Sequence, residues 1–203
     1  MNLSTTGTVV AAVVVAGVCF AIGGINPATV IGRRRGVDVA AVGSGNPGAT
    51  NLGRVLGRRW GIAVGVLDVL KGLVPTAVVH LALRTWLALV AGAARVLGHI
   101  YSPYLAGRGG KGVATSLGAM LAVLPWVALA GLAAFLVALP FVKRLGDASV
   151  VATTVLAAIG VVLTLRAEDT VGRGVGVWLT LLSLLVLARH RRNILVWVAR
   201  LGA

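Results

Sequence analysis

Long apolar segments that have no polar face constrain this chain more than any other feature. Residues 8–31 contain no charged side chain, and as a helix they are long enough to cross a bilayer core of about 30 Å. Of all 203 residues, 58% are hydrophobic and 12% are charged, which is too apolar for an ordinary soluble domain. Backbone groups in lipid need partners within their own segment, and the short alternating strands of a membrane barrel are not evident. The sequence therefore predicts an all-α polytopic membrane protein.

Further apolar segments follow the first one along the chain. A cleaved signal peptide is the competing interpretation of the first segment, but no basic residue precedes it and more apolar segments follow it. We find no linker and no internal repeat, and therefore predict a single integral membrane domain over residues 1–203. The single cysteine lies in the first segment, and we expect no metal site and no cofactor. The predicted bundle has about seven spans, at 8–31, 61–83, 86–106, 112–124, 126–142, 149–165 and 175–188.

The basic residues are distributed unevenly between the two sides that seven spans create. The net charge of +14 suggests a nucleic-acid partner, but the charges flank membrane segments, and this distribution excludes that partner. By the positive-inside rule the basic side is cytoplasmic, which places the amino terminus outside and the carboxyl terminus in the cytoplasm. Membrane lipids with anionic heads are expected partners of these side chains, at ~1 kcal/mol each. The basic side carries Arg33, Arg34, Arg35, Arg54, Arg58, Arg59, Arg108, Lys111, Lys143, Arg144, Arg189, Arg191, Arg192 and Arg200, and the other side carries Arg84, Arg166 and Arg173.

A glycine-rich loop with the sequence GSGNPGATN occupies residues 43–51, on the side predicted to be cytoplasmic. Its glycines permit backbone conformations in which successive N–H groups can surround an anion. Hydroxyl and amide side chains add donors without negative charge, and Arg54 follows. A plain polar turn is the competing interpretation. The candidate phosphate-binding residues of this loop are Gly43, Ser44, Gly45, Asn46, Gly48, Thr50, Asn51 and Arg54.

A second glycine-rich loop, GRGGKGVAT, occupies residues 107–115 on the same side. The nucleotide P-loop pattern fails here, because Leu105 stands where its first glycine is needed and Gly112 follows Lys111. A lysine among glycines can still bind a phosphate through charge and oriented N–H groups. The candidate residues are Gly109, Gly110, Lys111, Gly112 and Thr115.

The second predicted span contains two ionisable residues, Asp68 and Lys71. Such residues are costly in a membrane and point to function. Their spacing puts them on one face of a helix, where they can pair. A structural ion pair and a substrate contact are both open interpretations.

These segments together resemble the bacterial acyl-phosphate:glycerol-3-phosphate acyltransferase family. The family's GSGNxGATN…R pattern matches residues 43–54, and its DxxKGxxP pattern matches residues 68–75. Its GH…GGKGVAT pattern matches Gly98, His99 and residues 109–115, and its HxxNI pattern matches residues 190–194. The resemblance implies a bundle of seven transmembrane helices in the bacterial inner membrane, with its active site facing the cytoplasm.

The implied reaction transfers a fatty acyl group from acyl phosphate to the sn-1 hydroxyl of glycerol 3-phosphate. Its products are lysophosphatidic acid and phosphate, as a step of phospholipid biosynthesis, and an upstream enzyme would form the acyl phosphate. Acyl phosphate is already activated, so positioning and charge stabilisation suffice and no covalent intermediate is needed. The residues to which the resemblance assigns catalysis are Lys111, Ser44, His190 and Asn193. To the two loops it adds Lys71, His99 and Ser149 as substrate-binding residues.

Several positions depart from the family pattern, and rival functions remain open. Ala40 stands where an arginine is common, Gly107 replaces an aromatic residue, and Asp147 stands where serine is commoner. The last motif also lacks the arginine and glutamate that often follow it. An acyltransferase using acyl-CoA would normally carry His-x4-Asp, which is not in this sequence. A transporter of phosphate or an organophosphate, which would be expected to contain repeats, and an inactive family member are the alternatives.

Overall fold

The computed structural model describes residues 4–201, and all regular structure in this range is helical. The prediction of an all-α fold is therefore confirmed. A short 3₁₀ turn occupies Pro103–Leu105. The α-helices are α1 Thr5–Gly24, α2 Pro27–Arg34, α3 Ala49–Leu56, α4 Arg58–Ala82, α5 Thr85–Ile100, α6 Val113–Val123, α7 Pro125–Val142, α8 Leu145–Arg166, α9 Thr170–Arg189 and α10 Arg191–Leu201.

Five helical segments in the described range are long and apolar enough to cross a membrane: α1 with α2, then α4, α7, α8 and α9. Helix α5 has 16 residues and α6 has 11, whereas a straight crossing takes about 20. The number of spans and the orientation of the termini therefore stay predictions.

Two helix ends differ from the sequence prediction, each for a local reason, and two short helices lie outside the predicted spans. The first span breaks after Gly24, because Asn26 caps α2 through its side chain and Pro27 takes the first helical position. Helix α5 ends at Ile100 and not at residue 106, shortly before Pro103, which cannot continue it. The short helices α3 and α10 lie outside every predicted span.

The chain divides into two compact units, and the boundary in the sequence falls between Val123 and Leu124. Each unit is described by itself, and the single domain over residues 1–203 stays a prediction. In the first unit, glycines allow two helix pairs to approach closely. A methyl group on Gly72 of α4 would overlap the carbonyl oxygen of Thr115 on α6, and one on Gly98 of α5 would overlap that of Phe20 on α1. In the second unit, α8 and α9 approach in the same way at Gly160.

A small apolar core lies beneath the first glycine-rich loop. It consists of Ala28, Val39, Leu52 and Val64, and the partly buried Trp60 packs against it. These residues come from α2, the segment before the loop, α3 and α4. The core therefore anchors both ends of the loop to the rest of the first unit.

Candidate active site

The first glycine-rich loop is shaped by one buried amide side chain. Asn51, only 1% exposed, accepts a hydrogen bond of 2.8 Å from the N–H of Ser44. Its amide nitrogen donates to the carbonyl oxygens of Val39 at 3.1 Å and Val42 at 3.0 Å. Gly43, at φ +60°, lies directly against this amide, and a side chain there would overlap it. In this structure Asn51 therefore organises the loop from within.

The other polar residues of the first loop are more accessible than Asn51. Ser44 and Arg54 are exposed, and Asn46 and Thr50 are half-buried. Helix α3 begins at Ala49, so Thr50 and Arg54 are four residues apart on one helix face. The loop can thus present a hydroxyl group and a guanidinium group together.

The break between α1 and α2 is a hub that the sequence analysis missed. Asn26 donates from its side chain to the carbonyl of Pro47 in the first loop, at 2.8 Å. The carbonyl of Ile25 accepts from the Lys71 ammonium group at 2.9 Å, and that of Gly24 accepts from the Ser102 hydroxyl at 2.7 Å. One interrupted helix therefore connects the first loop, the Asp68–Lys71 segment and the chain that leads into the second loop.

Lys71 is the centre of a buried polar cluster in the first unit. Its Nζ lies 3.0 Å from Oδ1 of Asp68, which confirms that the two residues pair. The same Nζ lies 2.8 Å from Nδ1 of His99. Nδ1 of His99 also lies 3.5 Å from Oδ1 of Asp68. In this structure Lys71 therefore holds protein groups together, through Asp68, His99 and the carbonyl of Ile25.

The second loop folds back onto the end of α5. The N–H groups of Gly109 and Gly110 donate to the carbonyls of Ile100 and His99, each at 3.0 Å. A side chain on Gly110 would overlap the His99 ring. These two N–H groups thus cap α5, and the ring of His99 forms the floor of the loop.

Lys111 lies between this capped helix end and the start of α6 at Val113. Gly112, at φ +88°, makes the turn into the helix. The amino-terminal end of α6 adds partial positive charge beside the lysine. Thr115 is fully buried, and its carbonyl packs against Gly72. The half-buried Lys111 is therefore placed to meet an anion at the loop surface.

The remaining candidate residues belong to the second unit. His190 ends α9, is 1% exposed, and has Nδ1 2.8 Å from the carbonyl of Val186. A carbonyl can only accept, so Nδ1 carries the proton and Nε2 is the basic atom of the neutral ring. Asn193 on α10 lies against Gly146 at the start of α8. Ser149 donates to the carbonyl of Leu145 at 2.8 Å.

Helix α10 is tied to the start of α8 by an ion pair that sequence analysis did not anticipate. Nη2 of Arg200 lies 2.9 Å from Oδ2 of Asp147, whose side chain is 1% exposed. Asp147, which stands where serine is commoner in the family, thus has an ion-pair partner on α10. Among residues 4–201, no group of three or more His, Cys, Asp or Glu side chains could hold a metal ion.

Comparison with known proteins decides the family. The family model described as glycerol-3-phosphate acyltransferase matches residues 13–200. The chain belongs to the glycerol-3-phosphate acyltransferase family.

Individual relatives agree with this assignment. The glycerol-3-phosphate acyltransferase of Geobacter sulfurreducens is 38% identical over 179 residues, which cover 87% of this chain and 89% of that protein. That of Aquifex aeolicus is 46% identical over 112 residues, which cover 54% of this chain and 58% of that protein.

A solved structure covers nearly the whole chain. The crystal structure of PlsY, an integral membrane glycerol 3-phosphate acyltransferase, in its glycerol 3-phosphate form is 33% identical and has a TM-score of 0.82. The match covers 93% of this chain and 92% of that protein. Its lysophosphatidic acid form matches with a TM-score of 0.80.

Proposed function

We propose that this chain transfers a fatty acyl group from acyl phosphate to the sn-1 hydroxyl of glycerol 3-phosphate. The observation that carries the proposal is the hub at residues 24–26, which joins the first loop to Lys71 and to the segment before the second loop. Two glycine-rich, cationic loops built around one hub suit a reaction in which both substrates carry phosphate. The family membership and the two ligands named for PlsY support the same acceptor and product.

The reaction needs little covalent chemistry from the protein. The sn-1 oxygen attacks the acyl carbon, the bond from that carbon to the phosphate oxygen breaks, and phosphate leaves with the electron pair. Lys111 in the second loop and Arg54 on α3, just after the first loop, supply positive charge for the substrate phosphates, because both are at least partly accessible. Ser44, Asn46 and Thr50 of the same unit add hydrogen-bond donors.

We propose two roles for the candidate residues of the first unit. Asn51, Lys71 and His99 bond to protein groups, and we propose that they position the loops that bind substrate. Gly109 and Gly110 act in the same way by capping α5. We propose that the hydroxyl proton goes to the leaving phosphate. A His190→Gln variant that keeps the wild-type rate at all pH values would assign the proton to phosphate.

The donor is tested with purified protein in detergent and labelled glycerol 3-phosphate. Acyl phosphate should give lysophosphatidic acid and one phosphate per turnover, whereas acyl-CoA of the same chain length should give none. Product from acyl-CoA alone would reject the donor assignment. In the cell an upstream enzyme would supply acyl phosphate to this site.

The location of the site is tested in sealed vesicles. We propose that the protein lies in a bacterial inner membrane with the active site on the cytoplasmic side. Glycerol 3-phosphate added outside inverted vesicles should be converted, and the same substrate outside right-side-out vesicles should not. Accumulation of unmodified glycerol 3-phosphate inside vesicles would instead favour the transporter alternative.

A further inference from the structure

A surface pocket outside the candidate active site brings two arginines to one tryptophan ring. The guanidinium carbon of Arg35 lies 4.3 Å from the centroid of Trp60, and that of Arg59 lies 5.5 Å from it. These residues and Ala63 line a pocket of about 360 Å³. Such a volume is within the usual range for sites that bind small molecules, which begins at about 300 Å³.

The surrounding structure fixes the backbone of Arg35 and the ring of Trp60. Arg35 caps the end of α2, where its N–H bonds to the carbonyls of Ile31 and Gly32. Trp60 packs against the apolar core beneath the first loop. The exposed guanidinium groups of Arg35 and Arg59 are therefore gathered over one fixed ring.

The pocket has an excess of positive charge. Among residues 4–201, neither Arg35 nor Arg59 forms an ion pair with a carboxylate. Asp38, three residues after Arg35, accepts a hydrogen bond from the N–H of Ala40. Attraction to the ring brings the two guanidinium groups together, and their charges repel each other. An anion between them would remove that repulsion, and arginine binds phosphate oxygens in a bidentate manner.

The position of the pocket on α4 favours an anion that carries an acyl chain. Helix α4 is a candidate membrane span that begins at Arg58, and tryptophan and arginine are common at the membrane–water interface. From the pocket, one helix face continues through Ile62, Val66 and Leu70, which are 55%, 52% and 43% exposed. A phosphate held at the pocket would leave its acyl chain lying along these side chains.

We propose that Arg35, Arg59 and Trp60 form a binding site for the phosphate head group of an anionic phospholipid. The lipid head lies between the two guanidinium groups, and one acyl chain lies on the exposed face of α4. This site is separate from the residues assigned to acyl transfer, and the proposal does not depend on the reaction.

The test is a lipid titration of the purified protein in a neutral detergent, followed by native mass spectrometry. Phosphatidylglycerol, phosphatidylcholine with the same chains and inorganic phosphate are compared as ligands. We expect saturable binding of one phosphatidylglycerol, weaker binding of phosphatidylcholine, and no competition from equimolar phosphate. Competition by equimolar phosphate would overturn the lipid assignment and indicate a site for free phosphate.

Two double variants separate a specific site from general surface charge. Arg35→Gln with Arg59→Gln removes both cations of the pocket, whereas Arg33→Gln with Arg34→Gln removes the same charge from the neighbouring exposed residues. The first variant should bind phosphatidylglycerol about thirtyfold more weakly, which is the loss of two cations at about 1 kcal/mol each. The matched variant should change affinity less than about threefold. Equal losses in both variants would overturn the proposal.

The tryptophan gives a second readout that does not depend on charge. Phosphatidylglycerol with brominated acyl chains quenches tryptophan fluorescence at close range, and the saturable part of that quenching should be lost in Trp60→Phe. Retention of the full saturable quenching in Trp60→Phe would place the lipid elsewhere and contradict the site. Helical circular dichroism of each variant checks that it is folded.

Discussion

Substitution of Gly72 by alanine should separate helix α4 from helix α6 and thereby disturb the active site. The added methyl group would overlap the carbonyl oxygen of Thr115 and come within 3.1 Å of the amide nitrogen of Ala119. Both are backbone atoms, so no side-chain rotation can relieve the contact. Overpacking of this kind costs about 1–3 kcal/mol.

Gly65 on the same helix provides the matched control. A methyl group there would meet only the Cβ of Ala49, at 3.8 Å, which is an ordinary van der Waals distance. Replacing glycine by alanine within a helix gains up to about 1 kcal/mol from backbone propensity. Both variants gain this propensity, so they should differ by the overpacking cost alone, about 1–3 kcal/mol in unfolding free energy, although the chemical change is the same.

The assay is denaturant unfolding in detergent, monitored by helical circular dichroism, together with the rate of acyl transfer. Lys71 adjoins Gly72, and Lys111 lies just before α6, so a shift of α6 moves the second loop relative to the Lys71 cluster. A misplacement of about 1 Å can cost about a hundredfold in rate. If Gly72→Ala were as stable and as active as Gly65→Ala, the close contact between α4 and α6 would be refuted.

Three further changes test the polar contacts by denaturant unfolding and rate measurements. Lys71→Met should lower the free energy of unfolding by about 3–5 kcal/mol, because Asp68 stays buried without its lysine. Adding Asp68→Asn should recover part of that loss, and no recovery would contradict the pairing. Arg200→Gln should destabilise the protein more than Asp147→Asn, by about 1 kcal/mol or more after allowance for the partial exposure of Arg200, and the reverse order would count against the ion pair. Asn51→Asp should lower the free energy of unfolding by about 1–3 kcal/mol and remove most of the activity, since it puts an oxygen opposite the carbonyls of Val39 and Val42. A wild-type rate would show that the amide does not shape the site.

The sequence predicted the fold class and the candidate segments well, because both depend on local composition. Apolar stretches longer than a membrane core leave few structures available, and α4 and α7–α9 lie close to their predicted bounds. The pairing of Asp68 with Lys71 was also predictable, because the two residues are one helical turn apart. The break after Gly24 carried a local signal, an asparagine followed by proline, which the apolar character of the whole segment concealed.

Contacts between distant residues could not be predicted in this way. His99 meets Lys71 across 28 positions, and Arg200 meets Asp147 across 53. These contacts depend on how the helices cross, which is set by glycines at the helix contacts and not by the pattern within one segment. The use of the Gly109 and Gly110 N–H groups to cap α5 is a further example, because a glycine-rich motif alone does not reveal which acceptor its N–H groups face.

The most direct test of acyl transfer compares the wild-type protein with Lys111→Ala in one assay. Both are purified in the same detergent and supplied with acyl phosphate and labelled glycerol 3-phosphate, and the appearance of lysophosphatidic acid is measured over time. We expect steady product formation by the wild type, and a rate about 10²–10³ lower for Lys111→Ala, the usual loss when one stabilising group is removed. The absence of lysophosphatidic acid from the wild type, or equal rates for the two proteins, would contradict this account.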